Sequence, residues 1–472
     1  MNNVEPNGTV AAPDRVRFLY WFAAVETILS VVNDGWSGRP SPLRHQLLLI
    51  PFLLLFAFFA TRLLLFPGTS MSRISGAHER LWAGLAAICV GFEVLSLIAF
   101  AYEDHHFSRF GYNVKPITAW SLLAEIALVA VVCWSLRRAP LYLGAILALY
   151  TGGVWLAIRS FPLNYLRSDM LPVIIWADQR LLAHLNPYTT MHVGSRVYDF
   201  PYLPGMLVAF LPAVALGFDV RWIDCASVLT FCLLLYWAAR HERRPAAALL
   251  MGLFVLSPFL QYRHELYIEP HWLMLVSSVV LLQRKHFQLA AAAFGISMGL
   301  YQLSWVIFPF LALYAWRRGH WLEASKTVTT SLGAMFLLLG PFLRAAFQRI
   351  ANNTVGQWSG LPHALADPIN LSYWLTFFVR PSDLKWVQLV VLTILFGYCV
   401  LAGRCRTLTD TLRWMSVALG LFIATNVLVD GYFYLTLLVV LLMYTFSAAG
   451  IWVEPTCCSG CENPRPHGEV AA

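Results

Sequence analysis

The sequence predicts an all-α, polytopic transmembrane helical bundle of about 13 spans with one broken re-entrant helix pair. Three observations predict it. Hydrophobic residues make up 59% of the 472 residues and charged residues 12%, with a mean hydropathy of +0.63, which excludes a water-soluble globule. Apolar runs of about 17 to 23 residues recur, the length that crosses a hydrocarbon core of roughly 30 Å at 1.5 Å per residue. Lys and Arg concentrate in alternate connections between those runs, the bias that orients helices in a membrane.

In order, spans are expected near 16–32, 46–66, 81–101, 117–136, 140–159, 203–218, 222–240, 246–260, 270–283, 324–345, 386–403, 411–428 and 432–452. The 287–316 run is too long for one span and is interrupted at Gln302 and Ser304, with Pro309 beyond. It reads as two half-helices that enter and leave on one side. The chain then divides into accessory N-terminal helices (1–139), a core (140–452) with external loops at 160–202 and 346–385, and a disordered cytoplasmic tail (453–472).

Arg15/Arg17, Arg73 with Arg80, and Arg137/Arg138 place the N-terminus inside and the segment after Phe161 outside; Arg284/Lys285, Arg317/Arg318 and Arg404/Arg406 also want the inner face. The cluster Arg240 to Arg244 conflicts, because two apolar runs separate it from the external segment where an odd number is needed. Either the run from Leu203, interrupted by Pro204 and Pro212, does not cross, or the stretch Pro245 to Pro258 is partial and the cluster lies outside. No cleavable signal peptide is read at the first apolar run. The net charge of +8 is spread over many connections, which fits contact with membrane lipids and shows no nucleic-acid patch. Of nine cysteines only Cys457, Cys458 and Cys461 cluster, too few ligands for a structural zinc site. Asn352-Asn-Thr354 is a glycosylation sequon of chance frequency.

The chemistry concentrates between Ser160 and Tyr202, which packs Arg167, Asp169, Asp178, Arg180, Arg196 and Asp199 into one connection. After Asp169 comes a stretch whose Ile174, Ile175, Leu181 and Leu182 read as the apolar face of an interfacial helix, with Asp178 and Arg180 on the polar face. Asn186-Pro-Tyr188 follows, and then Tyr198-Asp-Phe-Pro-Tyr-Leu-Pro204 opens the next apolar run.

This order of parts resembles the GT-C class of membrane glycosyltransferases, in particular the polyprenol-phosphate-mannose-dependent mannosyltransferases of glycosyltransferase family 87. The resemblance is carried by Asp169, by Leu182 to Tyr188, by Tyr198 to Pro204 (similar to the family's YPPL), and by the broken pair ending in Pro309 and Trp316 to Trp321. The chain departs from the family where Tyr301-Gln302 stands in place of a lysine, in its separated prolines at 201 and 204, and in its four additional leading spans. The resemblance implies that Asp169 is the catalytic base, the donor a polyprenyl-phosphate sugar, and the acceptor a lipid or glycan on the periplasmic or exterior face of a bacterial inner membrane.

Such a transfer needs one carboxylate to accept the hydroxyl proton and cations to hold the phosphate leaving group. Arg167 and Arg196 suit the phosphate; Asn186, Tyr188, Asp199, Tyr202 and Gln302 are the further candidate substrate contacts in these elements, and Asp178 and Asp199 are reserve bases. Ser168-Asp169 also reads as an N-cap, which explains the acid without chemistry. A second set, His264, Glu265, Glu269 and His271, suits sugar orientation, a divalent cation or plain helix capping; no metal site is assigned, because the spacing fits no HExxH motif. His363 stands for the external 346–385 segment. No cofactor is required, although a divalent cation is compatible. The rival class is a multi-span transporter or flippase, for which a broken mid-chain helix is also expected.

Overall fold

The computed structural model describes residues 119–120, 123, 139–160, 162–163, 170–193, 196–198, 200–256, 260, 267–352, 371–426 and 431–452. The three spans expected before 102, most of the fourth, and the tail lie outside them. Among the described residues are twelve α-helices and one β-hairpin.

Among the described residues, four helices are long and apolar enough to cross a membrane, within Leu141–Ser160, Arg221–Ala238, Leu303–Arg344 and Leu384–Leu401. They mark the chain as a membrane protein. Helix α1 (Ala139–Ser160) leads to α2 (Met170–Leu182), the hairpin β1 (Met191–Val193) and β2 (Arg196–Tyr198), and α3 (Pro204–Leu216). Next come α4 (Arg221–Ala238), α5 (Arg244–Val255), α6 (Glu269–Gln283) and α7 (Phe287–Leu300). Helix α8 (Leu303–Ala351) breaks at Gly319-His320 and again at Ala346. The chain ends in the short α9 (Leu371–Leu375), α10 (Leu384–Leu401), α11 (Leu408–Ala424) and α12 (Gly431–Ala448).

Contacts between helices fix which way each runs. Helices α6 and α7 are antiparallel, with Ser297 against His271 at one end and the Ser278 hydroxyl on the Ala290 carbonyl further along. Helix α7 and the first stretch of α8 form a second antiparallel pair: Phe294 meets Phe308, and the Arg318 guanidinium lies 5.5 Å from the Phe287 ring. Beyond the break at Gly319-His320, α8 returns alongside α7, its Thr330 and Ser331 bonded to Gln288 and to the Ala291 carbonyl. Gly295 permits this crossing, since a Cβ there would overlap the Ser331 carbonyl. The expected broken pair is therefore present as a helical hairpin, with its tip at Tyr301-Gln302 and both outer ends on one side.

The clusters Arg240 to Arg244, Arg284/Lys285, Arg317/Arg318 and Arg404/Arg406 meet at one end of the bundle, whereas Arg180, Arg221 and Arg349 lie at the other. Arg240 donates its backbone N–H to Ile451, Arg284 stacks 4.0 Å above Trp237, and Arg317 reaches the Val400 carbonyl. The hairpin tip, the start of α6 and the starts of α4 and α12 lie at the other end.

The conflict over 203–260 resolves at α3. Its first turn touches the last turn of α7, where a Cβ on Gly205 would overlap the Gly299 carbonyl. Residues 217–220 then lead straight into α4, whose Arg221 donates to the Ala157 carbonyl near the end of α1. Both ends of this 13-residue helix thus stay at the tip end. Pro204 at its start and the left-handed Gly217 at its end bound it. Arg240 to Arg244 accordingly joins the other basic clusters.

Helix α2, expected to be interfacial, buries a different face from the expected one. Leu171, Ile174, Ala177 and Asp178 are buried, whereas Leu182 is 44% exposed. Asp178 stands four residues after Ile174 and three before Leu181, so helical spacing puts it on their stripe. That stripe faces inward, and α3 is the main element packed on α2.

Candidate functional site

At the tip end the elements singled out in the sequence converge on a chain of aromatic rings. Asn186 shapes the first of them: its side-chain oxygen accepts the Tyr188 N–H at 2.9 Å, an Asx turn. The Arg180 Nε–H donates to the Asn186 carbonyl at 2.9 Å, and Arg349, from the end of α8, donates to the Tyr188 carbonyl at 2.6 Å. The turn is therefore clamped from both sides. Tyr188 is buried, and its hydroxyl donates to the Tyr202 carbonyl at 3.0 Å.

From Tyr188 the rings continue in edge or tilted contact: to Phe200 at 5.2 Å, from Phe200 to Tyr202 at 5.4 Å, and from Tyr202 to Tyr267 at 4.2 Å. Tyr267 meets Tyr301 at 6.0 Å, which stacks on Phe433 at 6.4 Å and lies 5.3 Å from the His271 ring. Spacings of 4.5–7 Å are those at which aromatic pairs attract beyond simple burial. One continuous chain thus links the Asn-Pro-Tyr turn, the Tyr/Pro-rich start of α3, the segment before α6, the hairpin tip and α12. Tyr202, half-buried, is its most open ring.

Beneath the tip is a polar knot. The His271 Nδ1 lies 2.7 Å from the Ser297 hydroxyl and 3.2 Å from that of Ser304, and the two hydroxyls are 2.8 Å apart. All three residues are fully buried. The knot ties α6 to both arms of the hairpin across the break, and the Trp305 indole N–H to the Met298 carbonyl at 2.8 Å closes it. The His271 Nε2 has no partner among the described residues.

Asp224 of α4, Glu269 of α6 and Tyr150 of α1 are neighbours in the helix core. All three are buried. Asp178 is also fully buried, and neither carboxyl oxygen has a hydrogen-bond partner among the described residues. Desolvation by burial pushes its carboxyl up to about 8.

Of the residues expected to act, Asn186, Tyr188, Tyr202 and Gln302 come together here. Gln302 is half-buried at the tip, where its carbonyl begins α8. Arg196 is placed by its backbone, paired with Val193 in the hairpin. Asp169, Arg167, Asp199, His264, Glu265 and His363 lie outside the described residues. Sequence reasoning passed over Asp224, Tyr267 and Phe433. Asp224 had a usable signal, since a carboxylate inside an apolar run is costly and tends to be functional. The two rings had none, because contacts made over such separations leave no local period. No family model, no curated protein and no solved structure matches this chain.

Proposed function

We propose that this protein is an integral membrane glycosyltransferase, which moves a hexose, mannose first among candidates, from a polyprenyl-phosphate sugar to a lipid or glycan hydroxyl. The observation that carries the reading is the ring chain, which joins at one end of the bundle three elements of the family resemblance: the Asn-Pro-Tyr turn, the Tyr198 to Pro204 stretch and the tip of the broken pair. Aromatic faces suit the apolar faces of a sugar ring, and tyrosine adds a polar edge.

In the reaction, the acceptor oxygen attacks the anomeric carbon as the bond to the phosphate oxygen breaks, with inversion. The hydroxyl proton goes to Asp169, and the polyprenyl phosphate leaves as an anion already stable in water. Arg167 and Arg196 are assigned to hold that phosphate. His264, Glu265, Asp199 and His363 are assigned to the sugar and acceptor, with Asn186 as support for the Tyr188 turn. The gathering of basic clusters at the far end supports an orientation with the ring chain on the periplasmic or exterior face.

The test is transfer of labelled mannose from a polyprenyl-phosphate donor by membranes containing the full chain. Wild type is expected to transfer, and Asp169→Asn to lose about 10²-fold or more. Full activity in that variant removes Asp169 from the base role.

A second reading, a transporter or flippase, is favoured by the Asp224–Glu269 pair, since intramembrane carboxyls often carry coupling protons. Under that reading a donor panel yields no transfer, and Glu269→Gln abolishes proton-coupled flux.

A further inference from the structure

The end opposite the ring chain holds arginines whose donors are not used up by the fold. Arg317, just before the break in α8, donates through Nη2 to the Val400 carbonyl in the last turn of α10. Arg404, three residues beyond α10, reaches back to the Tyr398 hydroxyl at 3.3 Å and lies about the Tyr398 and Trp414 rings at 5.9 and 6.0 Å. Arg406 folds over Gly403, its Nη2 standing 3.0 Å from where a Cβ would be. Three guanidinium groups from two separate parts of the chain thus surround the C-terminus of one helix.

Helix capping accounts for part of this, because cations are stabilised at the carbonyl end of a helix. It does not account for the rest. The Nε–H groups of Arg317 and Arg404 are both buried and have no acceptor among the described residues. A buried donor left unpaired is costly, and these belong to forks that match two oxygens of a phosphate. The nearest acid does not supply those oxygens. Asp410 accepts from the Cys405 N–H at 2.7 Å and from the Trp414 indole at 3.1 Å, and it pairs with Arg413 at 3.6 Å.

The surroundings favour a headgroup over a free ion. Arg317 lies 5.0 Å from the ring of Trp316, which is 42% exposed, and Trp321 nearby is 72% exposed. Exposed tryptophans collect at the boundary between water and hydrocarbon. Along α10 from the arginines, Ile394 and Leu401 share one helix face and are 67% and 90% exposed. An anion bound at the last turn of α10 would have an apolar surface beside it for acyl chains.

We propose that Arg317, Arg404 and Arg406, with the last turn of α10, form a binding site for the phosphodiester headgroup of an anionic phospholipid. The site is independent of the transfer reading and lies at the opposite end of the bundle.

The experiment is native mass spectrometry of the full-length protein released from nanodiscs of phosphatidylcholine with or without phosphatidylglycerol. Wild type is expected to retain phosphatidylglycerol preferentially. The Arg317→Gln/Arg404→Gln double variant should lose that preference by about tenfold. The Arg317→Lys/Arg404→Lys variant, which keeps the charge without the fork and guards against misfolding, should fall between. Lys385→Gln, exposed at the opposite end of α10, should match wild type. Equal retention by wild type and the glutamine variant overturns the proposal, and so does inorganic phosphate binding wild type in phosphatidylcholine discs as tightly as the lipid does.

Discussion

Asp178 is the residue whose cost is easiest to measure. Its carboxyl is raised from an ordinary 3.8 to about 8 by burial, so the native state holds a proton that the unfolded chain gives up near pH 4. Stability from this group is fullest below pH 4 and falls as pH rises towards 8, by at most about 6 kcal/mol at 1.36 kcal/mol per unit. In detergent, the melting temperature followed by tryptophan fluorescence should decline between pH 5 and 8. Asp178→Asn should flatten that slope and stabilise the protein at pH 8, and an unchanged slope would show that the carboxyl is not desolvated. Tyr188 gives a second residue test. Tyr188→Phe removes only the bond to Tyr202, worth about 1 kcal/mol, whereas Tyr188→Ala leaves a cavity costing about 3–5 kcal/mol. The contrast between these two residues marks the limit of legibility. Asn186-Pro-Tyr188 stood out because turn chemistry is local. The polarity of Asp178 points to a solvent face, whereas its spacing from Ile174 and Leu181 puts it on the buried stripe, where the structure has it.

At the scale of elements, the broken pair was legible, since thirty apolar residues interrupted by Gln302 and Ser304 cannot form one span. The interruption is held open by Ser297, Ser304 and His271, one residue from each of three helices, and that tie appears only in three dimensions. Its packing against α3 depends on Gly205. Gly205→Ala forces the α3 and α7 backbones apart and is expected to cost about 1–3 kcal/mol. It should also lower transfer activity more than it lowers the yield of folded protein, because the shift falls between Tyr202 and Tyr301. Melting curves and transfer assays on the same preparation separate the two effects. The β-hairpin at 191–198 was not foreseen: three-residue strands are too short to show a period of two.

At the scale of the molecule, the helical bundle and its membrane character follow from composition and run length, which tolerate many local errors. Orientation rests on basic clusters that lie far apart in the chain and meet at one end of the bundle. If that end faces the cytoplasm, Glu242→Cys should react with an impermeant maleimide only in inverted vesicles, and Thr190→Cys only in right-side-out ones. Reaction of both from one side would refute the two-ended arrangement. Span number was less legible because α3, α5, α6 and α7 have 13, 12, 15 and 14 residues, below the ~20 that a hydropathy window needs. The short α3 also bears on how the chain is inserted. A segment that leaves and returns on one face contributes nothing to the parity of the topology. Excising 203–218 should therefore leave a reporter fused after Trp452 on its original side of the membrane, while excising α4 should invert it. Insertion would thus treat this apolar stretch as a removable insert, free to vary in length without reorienting anything downstream.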